Sequence, residues 1–490
     1  MQKILIANRG EIALRIMRTI RRMGLQSVAV FSEADRQSPH VRYADEAVLI
    51  GEAPSSKSYL DGDKIIEVCK KLNVDAIHPG YGFLSENPAF AKKVQDAGII
   101  FIGPSAHAME IMGSKLAAKQ NVMQYNIPMV PGTEDAVKDV ATAKQIAAQV
   151  GYPVLIKAVA GGGGKGMHIV QNEEELSEQL ERAISVAASA FGDGSVFLEK
   201  YIPVIRHIEI QVLADNYGNT IHLFERECSI QRRHQKVIEE SPSVIMTPEL
   251  REKMGKAAVD VARSCNYSGT GTVEFIVDDK LNFYFLEMNT RLQVEHPVTE
   301  FITGIDLVEE QIRVARGEKL RYAQEELKIK GHAIELRVYA EDPNNDFLPS
   351  EGTLEKYLPP TMTNVRVDDG YEQGMEVPIY YDPMLAKLIA YGATRSEAIE
   401  LLKKAIKAYK VEGVETTLPF GTFVLENPAF VNGNFDTAFV KKHYTPQEIA
   451  SQKASKNARA ATAALLFFKA HQEKLSLANH QPTNWKIRKA

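Results

Sequence analysis

Cysteine and tryptophan are scarce in this chain of 490 residues, which has three cysteines and one tryptophan. Cys69, Cys228 and Cys265 lie far apart, so their spacing is neither that of a metal site nor that of a disulfide framework. The sequence also lacks an apolar run near the ~18 residues needed to span a bilayer. No signal or transit segment is recognisable before the first apolar strand. These absences favour a cytoplasmic location and no membrane partner.

A strong excess of charge of either sign is also missing. The chain has 58 Lys and Arg against 63 Asp and Glu, which gives a formal net charge of -5. This balance provides no general attraction to nucleic acid, so we expect no nucleic-acid partner. Apolar residues make up 44% of the chain and charged residues 25%, as is typical of globular proteins. A length of 490 residues predicts two to four domains.

The periodicity of apolar residues changes along the chain. Residues 3–113 alternate short apolar runs such as Ile4–Ala7 with helical patterns such as Glu11–Met23, which predicts a parallel sheet covered by helices. Lys115 to about Gln145 reads as mostly helical, broken at Ile127–Pro128 and at Val130–Gly132. From Pro153 the period becomes two, and strands predominate as far as Glu287. The predicted fold class is therefore multidomain, α/β followed by α+β.

Four consecutive glycines, Gly161–Gly164, lie between the predicted strands Val154–Lys157 and Met167–Val170. The backbone N–H groups of such a loop can hold phosphate oxygens. No Ser or Thr follows Lys165, and a strand rather than a helix follows the loop. The loop is therefore neither a P-loop nor a dinucleotide fingerprint. The pattern favours a flexible lid over a triphosphate, with a mobile hairpin that binds nothing as the alternative.

Two glutamates are predicted to face each other across a hairpin. Thr272–Val277 and Asn282–Glu287 both alternate as strands, and a turn between Lys280 and Leu281 places Glu274 opposite Glu287. Facing like charges are destabilising unless something compensates them. A divalent cation such as Mg²⁺ does so with carboxylate ligands, substrate phosphates and water. The alternative is two glutamates on a solvated face in a different register.

Two further polar stretches are less specific. His207, Glu209 and Gln211 share one face of a predicted strand, which indicates either a ligand site or a solvated face. Gln231–Lys236 is dense in cations and amides, and is either a basic surface loop or an anion site. Together these patterns indicate a Mg²⁺–nucleotide enzyme with an anionic co-substrate, but they do not name the reaction.

Several long motifs resemble the biotin carboxylase family of the ATP-grasp superfamily, over residues 1 to about 445. The motifs are Ile6–Ala13, His78–Glu86, Gly161–Gly166, Gln231–Lys236 and Glu287–Pro297. The resemblance implies an ATP-dependent ligase with a pre-ATP-grasp α/β domain at 1–113 and an ATP-grasp domain at 114–330. The glycine-rich lid would occupy about 131–203, and a biotin carboxylase C-terminal domain would span 331–445.

The resemblance also implies site residues. Lys115 and Lys157 would contact ATP phosphates, with Gly163 and Gly164 covering them. The rest of the nucleotide site would consist of Glu199, Lys200, Tyr201, Ile202, His207, Gln231 and His234. Mg²⁺ or Mn²⁺ would be bound by Glu274, Glu287 and Asn289. Bicarbonate would be held by Lys236, Arg291 and Val294, with Glu295 as general base, and Arg337 would bind biotin.

Two features bear on the partners. No biotin-accepting Met-Lys-Met type motif is found, so the biotin carboxyl carrier protein and the carboxyltransferase are expected on separate chains. A homodimer is also expected.

The type of carboxylase is indicated by two stretches near the end of the chain. Tyr380–Lys387 and Asn434–Phe439 resemble those of propionyl-CoA carboxylases, which favours an acyl-CoA carboxylase. Residues 446–490 form a basic tail with a helical pattern at Ala458–Phe468 and with Trp485, either for docking a partner or partly disordered.

Three other hypotheses remain open. The carboxylase subunit of a two-chain pyruvate carboxylase would share every catalytic residue. A nucleotide-binding regulatory subunit would bind ATP without turnover, which the complete set of Glu274, Glu287, Glu295 and Arg337 disfavours. Another ATP-grasp ligase, such as a carbamoyl-phosphate or purine-pathway enzyme, is disfavoured by the stretch Arg291–His296.

Overall fold

The computed structural model describes residues 1–133, 135–137, 139–159, 167–445 and 458–472, except for the side chains of Leu116 and Phe191. Two compact units divide the chain, Met1–Ala438 and Phe439–Ala490. The predicted lid glycines Gly163 and Gly164 lie outside the described residues, as does Trp485. Among the residues that are described, no helix is both long and apolar enough to cross a membrane.

The first unit begins with a five-stranded parallel sheet in the order β3-β2-β1-β4-β5. Its elements are β1 (Lys3–Ile6), α1 (Gly10–Arg22), β2 (Gln26–Ser32), α2 (Pro39–Tyr43), β3 (Glu46–Gly51), α3 (Gly62–Leu72), β4 (Ala76–His78), α4 (Pro88–Asp96), β5 (Ile100–Phe101) and α5 (Ala106–Gly113). Ile4 and Ile6 pack on one face of the sheet and Leu5 on the other, and all three are fully buried. The predicted α/β domain is confirmed.

A small antiparallel sheet follows, in the order β7-β6-β8. Its elements and neighbours are α6 (Lys115–Met123), α7 (Val140–Val150), β6 (Val154–Ala158), β7 (His168–Val170), α8 (Glu173–Phe191) and β8 (Val196–Lys200). The helical stretch predicted from Lys115 forms two helices, and the segment between them contains Pro128, where the break is predicted. Helix α8 begins after Asn172, whose side chain accepts the N–H of Glu175, and ends at Gly192 with φ +73°.

A large sheet of eight strands has the order β13-β12-β9-β10-β11-β14-β21-β19. The elements up to β14 are β9 (Ile205–Ala214), β10 (Thr220–Arg232), β11 (Gln235–Ser241), α9 (Pro248–Ser264), β12 (Gly269–Asp278), β13 (Phe283–Asn289), α10 (His296–Thr303), α11 (Leu307–Ala315) and β14 (His332–Tyr339). Because β11 pairs with β14, the sheet runs without a break past residue 330. Residues of the predicted ATP-grasp and C-terminal domains therefore lie on one sheet.

The remaining elements complete the chain. They are β15 (Glu341–Asp342), β16 (Leu348–Pro349), β17 (Gly352–Thr353), β18 (Lys356–Leu358), β19 (Val365–Asp369), β20 (Glu376–Val377), β21 (Met384–Gly392), α12 (Arg395–Ala408), β22 (Lys410–Glu412), α13 (Leu418–Glu426) and α14 (Pro428–Val431). The second unit contains α15 (Phe439–His443) and a helix at 458–472. This last helix has the helical pattern predicted for the tail, and all its residues are exposed.

Candidate active site

Three carboxylates lie on neighbouring strands of the large sheet. Glu274 on β12 is paired with Glu287 on β13 and with Glu209 on β9. The Glu274–Glu287 pairing is the one that the hairpin register predicts. Acidic side chains so arranged repel one another unless cations lie between them.

One lysine contacts two of these carboxylates and a third that directly precedes α10. The ammonium of Lys236, on β11, lies 2.5 Å from Glu209, 2.8 Å from Glu274 and 2.8 Å from Glu295. Burial alone would lower the pKa of Lys236, but the three carboxylates raise it well above its ordinary value. Lys236 is therefore a fixed cation at any physiological pH.

Glu295 lies between two cations. Its Oε1 accepts a hydrogen bond from Lys236, and its Oε2 accepts one of 3.0 Å from Nη2 of Arg337 on β14. Burial would raise the pKa of Glu295, but Lys236 and Arg337 hold it well below the ordinary range. An anion that binds either cation would weaken these pairs and make Glu295 a stronger base.

Arg337 is held by two further groups. Its Nε donates to Glu239 on β11 at 2.6 Å, and its Nη1 donates to the hydroxyl of Tyr339 at 3.4 Å. Arg337 and Glu239 are both buried, with 7% and 0% of their surface exposed. The guanidinium plane is therefore fixed by contacts on all three of its nitrogens.

The pKa values of Glu274 and Glu287 are shifted in opposite directions. Burial would raise the pKa of Glu274, but Lys236 and His207 lower it well below its ordinary value. Burial and the charge of Glu274 raise the pKa of Glu287. This asymmetry is expected when two like charges face each other and one of them has the closer cation contacts, here the 2.8 Å contact of Glu274 with Lys236. The oxygen ligands of the pair suit Mg²⁺ or Mn²⁺, and such an ion would relieve the repulsion.

Asn289, the third predicted metal ligand, already has partners on both ends of its amide. Its Nδ2 donates to Glu274 at 2.9 Å, and its Oδ1 accepts from Nη2 of Arg291 at 2.9 Å. Arg291 also donates through Nε to Glu86 at 2.8 Å. The amide oxygen of Asn289 keeps a second lone pair, which is the one that could bind a metal ion. His207, with Nε2 2.8 Å from Glu274, is another group close enough to bind a cation.

A second cluster lies around Glu199 on β8. Its carboxylate contacts Lys157 of β6 at 2.5 Å and also pairs with Lys119 of α6. Lys115, one turn before Lys119, lies within electrostatic range of this cluster and of Glu287. Burial lowers the pKa of Lys115, since burial disfavours the charged form, and the charges of Lys157 and Lys119 lower it further against those of Glu287 and Glu199. Two lysines, Lys119 and Lys157, thus share the single carboxylate of Glu199.

The three residues after Glu199 are held by backbone contacts or are partly buried. The ammonium of Lys200 donates to the carbonyls of Gly151 and Tyr152, at 2.9 and 2.8 Å. The N–H of Tyr201 donates to Pro153. Ile202 is half-buried. The structure therefore brings Glu199 into a lysine cluster and uses Lys200 and Tyr201 to tie β8 to the start of β6.

The other predicted residues lie on β10, on the turn after it and before α10. Gln231 on β10 is 3.0 Å from Nδ1 of His207, so these two side chains are brought together. His234 is exposed in the turn between β10 and β11, and burial of part of its ring lowers its pKa. The carbonyl of Val294 accepts a 3.1 Å hydrogen bond from Lys387.

Sequence reasoning missed four residues that shape the site, namely Glu209, Arg226, Glu239 and Lys119. Glu209 was visible as part of a polar stripe, without an assigned role. Lys119 follows Lys115 by four residues, which places both on one helix face, and this spacing could have identified it. Arg226 and Glu239 gave no such signal, because their partners come from other strands of the large sheet.

Family comparisons cover nearly all of the first unit. Residues 1–109 match the N-terminal domain of biotin carboxylase, and residues 335–442 match the biotin carboxylase C-terminal domain. Residues 114–323 match the ATP-binding domain of the carbamoyl-phosphate synthase L chain. The two flanking matches distinguish the chain from a carbamoyl-phosphate synthase.

Individual relatives support the same family as the domain matches. The chain is 53% identical over 441 residues to a pyruvate carboxylase subunit from Methanothermobacter thermautotrophicus, covering 90% of each. It is 52% identical over 444 residues to the mitochondrial propionyl-CoA carboxylase alpha chain of Mus musculus, covering 90% of this chain and 61% of that one.

A solved structure has the same fold. The biotin carboxylase domain dimer of Hydrogenobacter thermophilus 2-oxoglutarate carboxylase, in complex with MgADP, ADP and bicarbonate, is 47% identical with a TM-score of 0.86. It covers 90% of this chain and 97% of that one. The fold, the three consecutive domain matches and these identities agree, and the chain belongs to the biotin carboxylase family of ATP-grasp ligases.

Proposed function

We propose that the chain uses ATP and bicarbonate to carboxylate biotin on a separate carrier protein, as the first half-reaction of an acyl-CoA carboxylase. The observation that carries this proposal is the position of Glu295, an ionised carboxylate in contact with Lys236 and Arg337. The reaction needs a base for bicarbonate and a cation for each of two anionic species, and this arrangement provides them.

ATP would bind at the lysine-rich cluster. Lys115 and Lys157 would contact its phosphates, with Gly163 and Gly164 covering them from the lid. The sharing of the one carboxylate of Glu199 by Lys119 and Lys157 supports this role, because a triphosphate would add negative charge between these two lysines. The rest of the nucleotide would be held by Glu199, Lys200, Tyr201, Ile202, His207, Gln231 and His234.

A divalent cation, Mg²⁺ or Mn²⁺, would be held by Glu274, Glu287 and Asn289. The raised pKa of Glu287 supports this assignment, because a cation there would stabilise the ionised form. When bound, such an ion neutralises charge on the phosphoryl oxygens.

Bicarbonate would be held by Lys236, Arg291 and the backbone at Val294. Glu295 would remove its proton, and the resulting carbonate oxygen would attack the γ-phosphorus of ATP with ADP as the leaving group. The product, carboxyphosphate, divides into CO₂ and phosphate, so water must be excluded from the site. Burial of Glu295, which is 2% exposed, supports such a role.

Biotin would bind at Arg337. The phosphate released from carboxyphosphate would take the proton of biotin N1, which leaves biotin as an enolate with negative charge on its ureido oxygen. A guanidinium stabilises that charge until N1 attacks CO₂ and the charge passes to the new carboxylate. The planar fork of arginine fits a planar ureido group better than a lysine would.

The partner proteins are proposed as a biotin carboxyl carrier protein and a carboxyltransferase on separate chains, with this chain as a homodimer. The relative from Methanothermobacter, which is named as one subunit, and the dimeric domain from Hydrogenobacter support these assignments. Tyr380–Lys387 and Asn434–Phe439 support an acyl-CoA acceptor. We propose residues 446–490 as a segment that docks a partner, since four large apolar side chains at 465–468 are 60–75% exposed.

The second candidate is the carboxylase subunit of a two-chain pyruvate carboxylase, favoured by the 53% identity to such a chain. Purification of the native complex would distinguish the two candidates. An acyl-CoA carboxylase predicts a complex that carboxylates propionyl-CoA or acetyl-CoA, and carboxylation of pyruvate alone would contradict the acyl-CoA assignment.

Release of ADP from the purified chain tests the half-reaction. We expect free biotin to stimulate ADP release in the presence of bicarbonate and Mg²⁺. Arg337→Ala should abolish the stimulation while ATP binding stays within about twofold, whereas Arg42→Ala, on an exposed ion pair, should behave as the wild type. Stimulation that survives in Arg337→Ala would contradict the assignment of Arg337.

A further inference from the structure

Arg337 has two carboxylate partners of different kinds. Glu295 accepts from Nη2 at 3.0 Å and also contacts Lys236, whereas Glu239 accepts from Nε at 2.6 Å. In the described residues, the second oxygen of Glu239 has no hydrogen-bond partner. Glu239 is therefore dedicated to Arg337, while Glu295 is shared.

The register of the large sheet explains this contact. Glu239 on β11 lies directly opposite Glu335 on β14, and Arg337 follows Glu335 by two residues on the same face. Glu239 and Arg337 are thus diagonal neighbours on adjacent strands, a separation that long side chains can span. The backbone of two paired strands, rather than a loop, fixes the distance between them.

The contacts of Arg337 with Glu295 and with Glu239 respond differently to the proposed reaction. When Glu295 takes the proton of bicarbonate it becomes neutral, and its charge no longer holds Arg337. The ion pair and the hydrogen bond of Glu239 are both made with Arg337 rather than with bicarbonate's proposed ligands, so protonation of Glu295 leaves that contact in place. Arg337 would then remain aligned through Nε, with Nη2 free to face the ureido oxygen of biotin.

We propose that Glu239 is a positioning residue, which keeps Arg337 oriented toward the ureido oxygen of biotin after Glu295 has been protonated. This role rests on the proposed function, since it requires Arg337 to bind biotin. Glu239 itself touches neither biotin nor bicarbonate.

A pH dependence follows from the environment of Glu239. Burial raises its pKa to about 7, although Arg337 partly opposes the shift. The titratable and charged groups that face it come from its own strand, from β10, from β14 and from the residue before α10: Lys236, Cys228, Glu335, Arg337, Tyr339 and Glu295. Glu239 is charged above about pH 7 and becomes neutral below it, so its hold on Arg337 weakens as the pH falls.

The test compares Glu239→Gln with Glu335→Gln. Glu335 is a matched control because it is equally buried and directly opposite, and neither of its carboxyl oxygens has a hydrogen-bond partner in the described part of the chain. Burial raises the pKa of Glu335 well above its ordinary value, so an amide there replaces a neutral acid. ADP release is measured against free biotin and against ATP, from pH 6 to pH 9.

We expect Glu239→Gln to lower kcat/KM for biotin about 10- to 100-fold at pH 8, in line with the loss of one hydrogen bond to a charged group. KM for ATP should stay within about twofold. In the wild type and in Glu335→Gln, kcat/KM for biotin should fall below about pH 7. In Glu239→Gln this fall should disappear. A merely structural role would not remove it.

Glu239→Asp supplies a second measurement that keeps the charge. We expect it to recover kcat/KM for biotin to within several-fold of the wild type and to retain the fall at low pH. The proposal would be overturned if Glu239→Asp and Glu239→Gln lowered kcat/KM for biotin equally. It would also be overturned if Glu239→Gln had the kcat/KM and the pH dependence of Glu335→Gln. Either result would leave the proposed function intact. A wild type without biotin-dependent ADP release would instead overturn the proposed function, and the role of Glu239 with it.

Discussion

Around Glu199 the site gathers three lysines near one carboxylate, whereas around Glu295 three cations contact four carboxylates. The first group, the lysine-rich end, consists of Lys115, Lys119, Lys157 and Glu199. The second, the carboxylate-rich end, consists of Lys236, Arg226, Arg337, Glu209, Glu239, Glu274 and Glu295. The lysine-rich end therefore holds more cations than carboxylates, and the carboxylate-rich end holds more carboxylates than cations.

This difference in charge predicts a different contribution of electrostatics to ligand binding at each end. A polyphosphate can neutralise the lysine-rich end, so binding there gains from long-range attraction. At the carboxylate-rich end a small anion must compete with ion pairs that are already formed, and the gain lies in orientation and in the basicity of Glu295. The two ends also lie on different elements. The lysine-rich end lies on the small sheet and α6, and the carboxylate-rich end on the large sheet and the residue before α10.

The largest expected effect is at Glu295. Glu295→Gln removes the proposed base, so biotin-dependent ADP release should fall about 10²- to 10⁴-fold. Binding of ATP, measured by calorimetry, should remain within about twofold because the lysine-rich end is unchanged. Glu52→Gln, on an exposed ion pair, serves as the control. A fall of less than tenfold would break the assignment of catalysis to the carboxylate-rich end.

The next largest effect is on the free energy of unfolding, through Arg226 at the carboxylate-rich end. Arg226 is fully buried, pairs with Glu209 and donates to four neutral side chains, those of Gln211, Thr272, Gln293 and Thr299. Arg226→Met leaves Glu209 with one cation fewer, so the free energy of unfolding should drop by about 3–5 kcal/mol. Arg233→Met, which breaks an exposed pair with Asp346, should cost about 1 kcal/mol or less. Urea unfolding of both variants measures this, and equal losses would contradict the account.

A smaller effect is expected at the lysine-rich end. Lys157→Gln removes one proposed phosphate contact, so KM for ATP should rise about 10- to 100-fold, as for the loss of one charge-assisted hydrogen bond. KM for biotin should change little. Lys144→Gln, on an exposed pair with Glu173, is the control from the same region. If KM for biotin rose as much as KM for ATP, the two ends would not be separate binding regions.

The smallest effect is that of salt. Raising the ionic strength from about 0.01 to 0.15 M shortens the screening length from about 30 to 8 Å. KM for ATP should therefore rise about two- to fivefold, while KM for biotin stays nearly constant because the charges around Arg337 are buried and paired. Steady-state kinetics at the two ionic strengths measures the difference. Equal sensitivity of both constants would contradict the comparison between the ends.

The sequence allowed prediction of features that depend on local pattern. The hairpin that pairs Glu274 with Glu287 followed from alternation and the position of a turn, and the structure has that register. The α/β start of the chain followed from its strand–helix rhythm. Both depend on residues close together in sequence, where geometry is set by the periods of strand and helix.

The rest depends on contacts that periodicity does not encode. Arg226 and Gln293 are 67 residues apart, and Glu239 and Arg337 are 98 apart. Their contacts arise because β11 pairs with β14 and because the loop before α10 folds onto the sheet. The motifs of the family resemblance contain Gln293 but give it no role, whereas the structure shows it bridging Arg226 and Glu274.

The most direct test of the central claim is transfer of labelled carbon from bicarbonate to free biotin by the purified chain. We expect ATP- and Mg²⁺-dependent formation of labelled carboxybiotin by the wild type, and its loss in Glu295→Gln. A wild-type chain that binds ATP yet forms no carboxybiotin under these conditions would contradict the account.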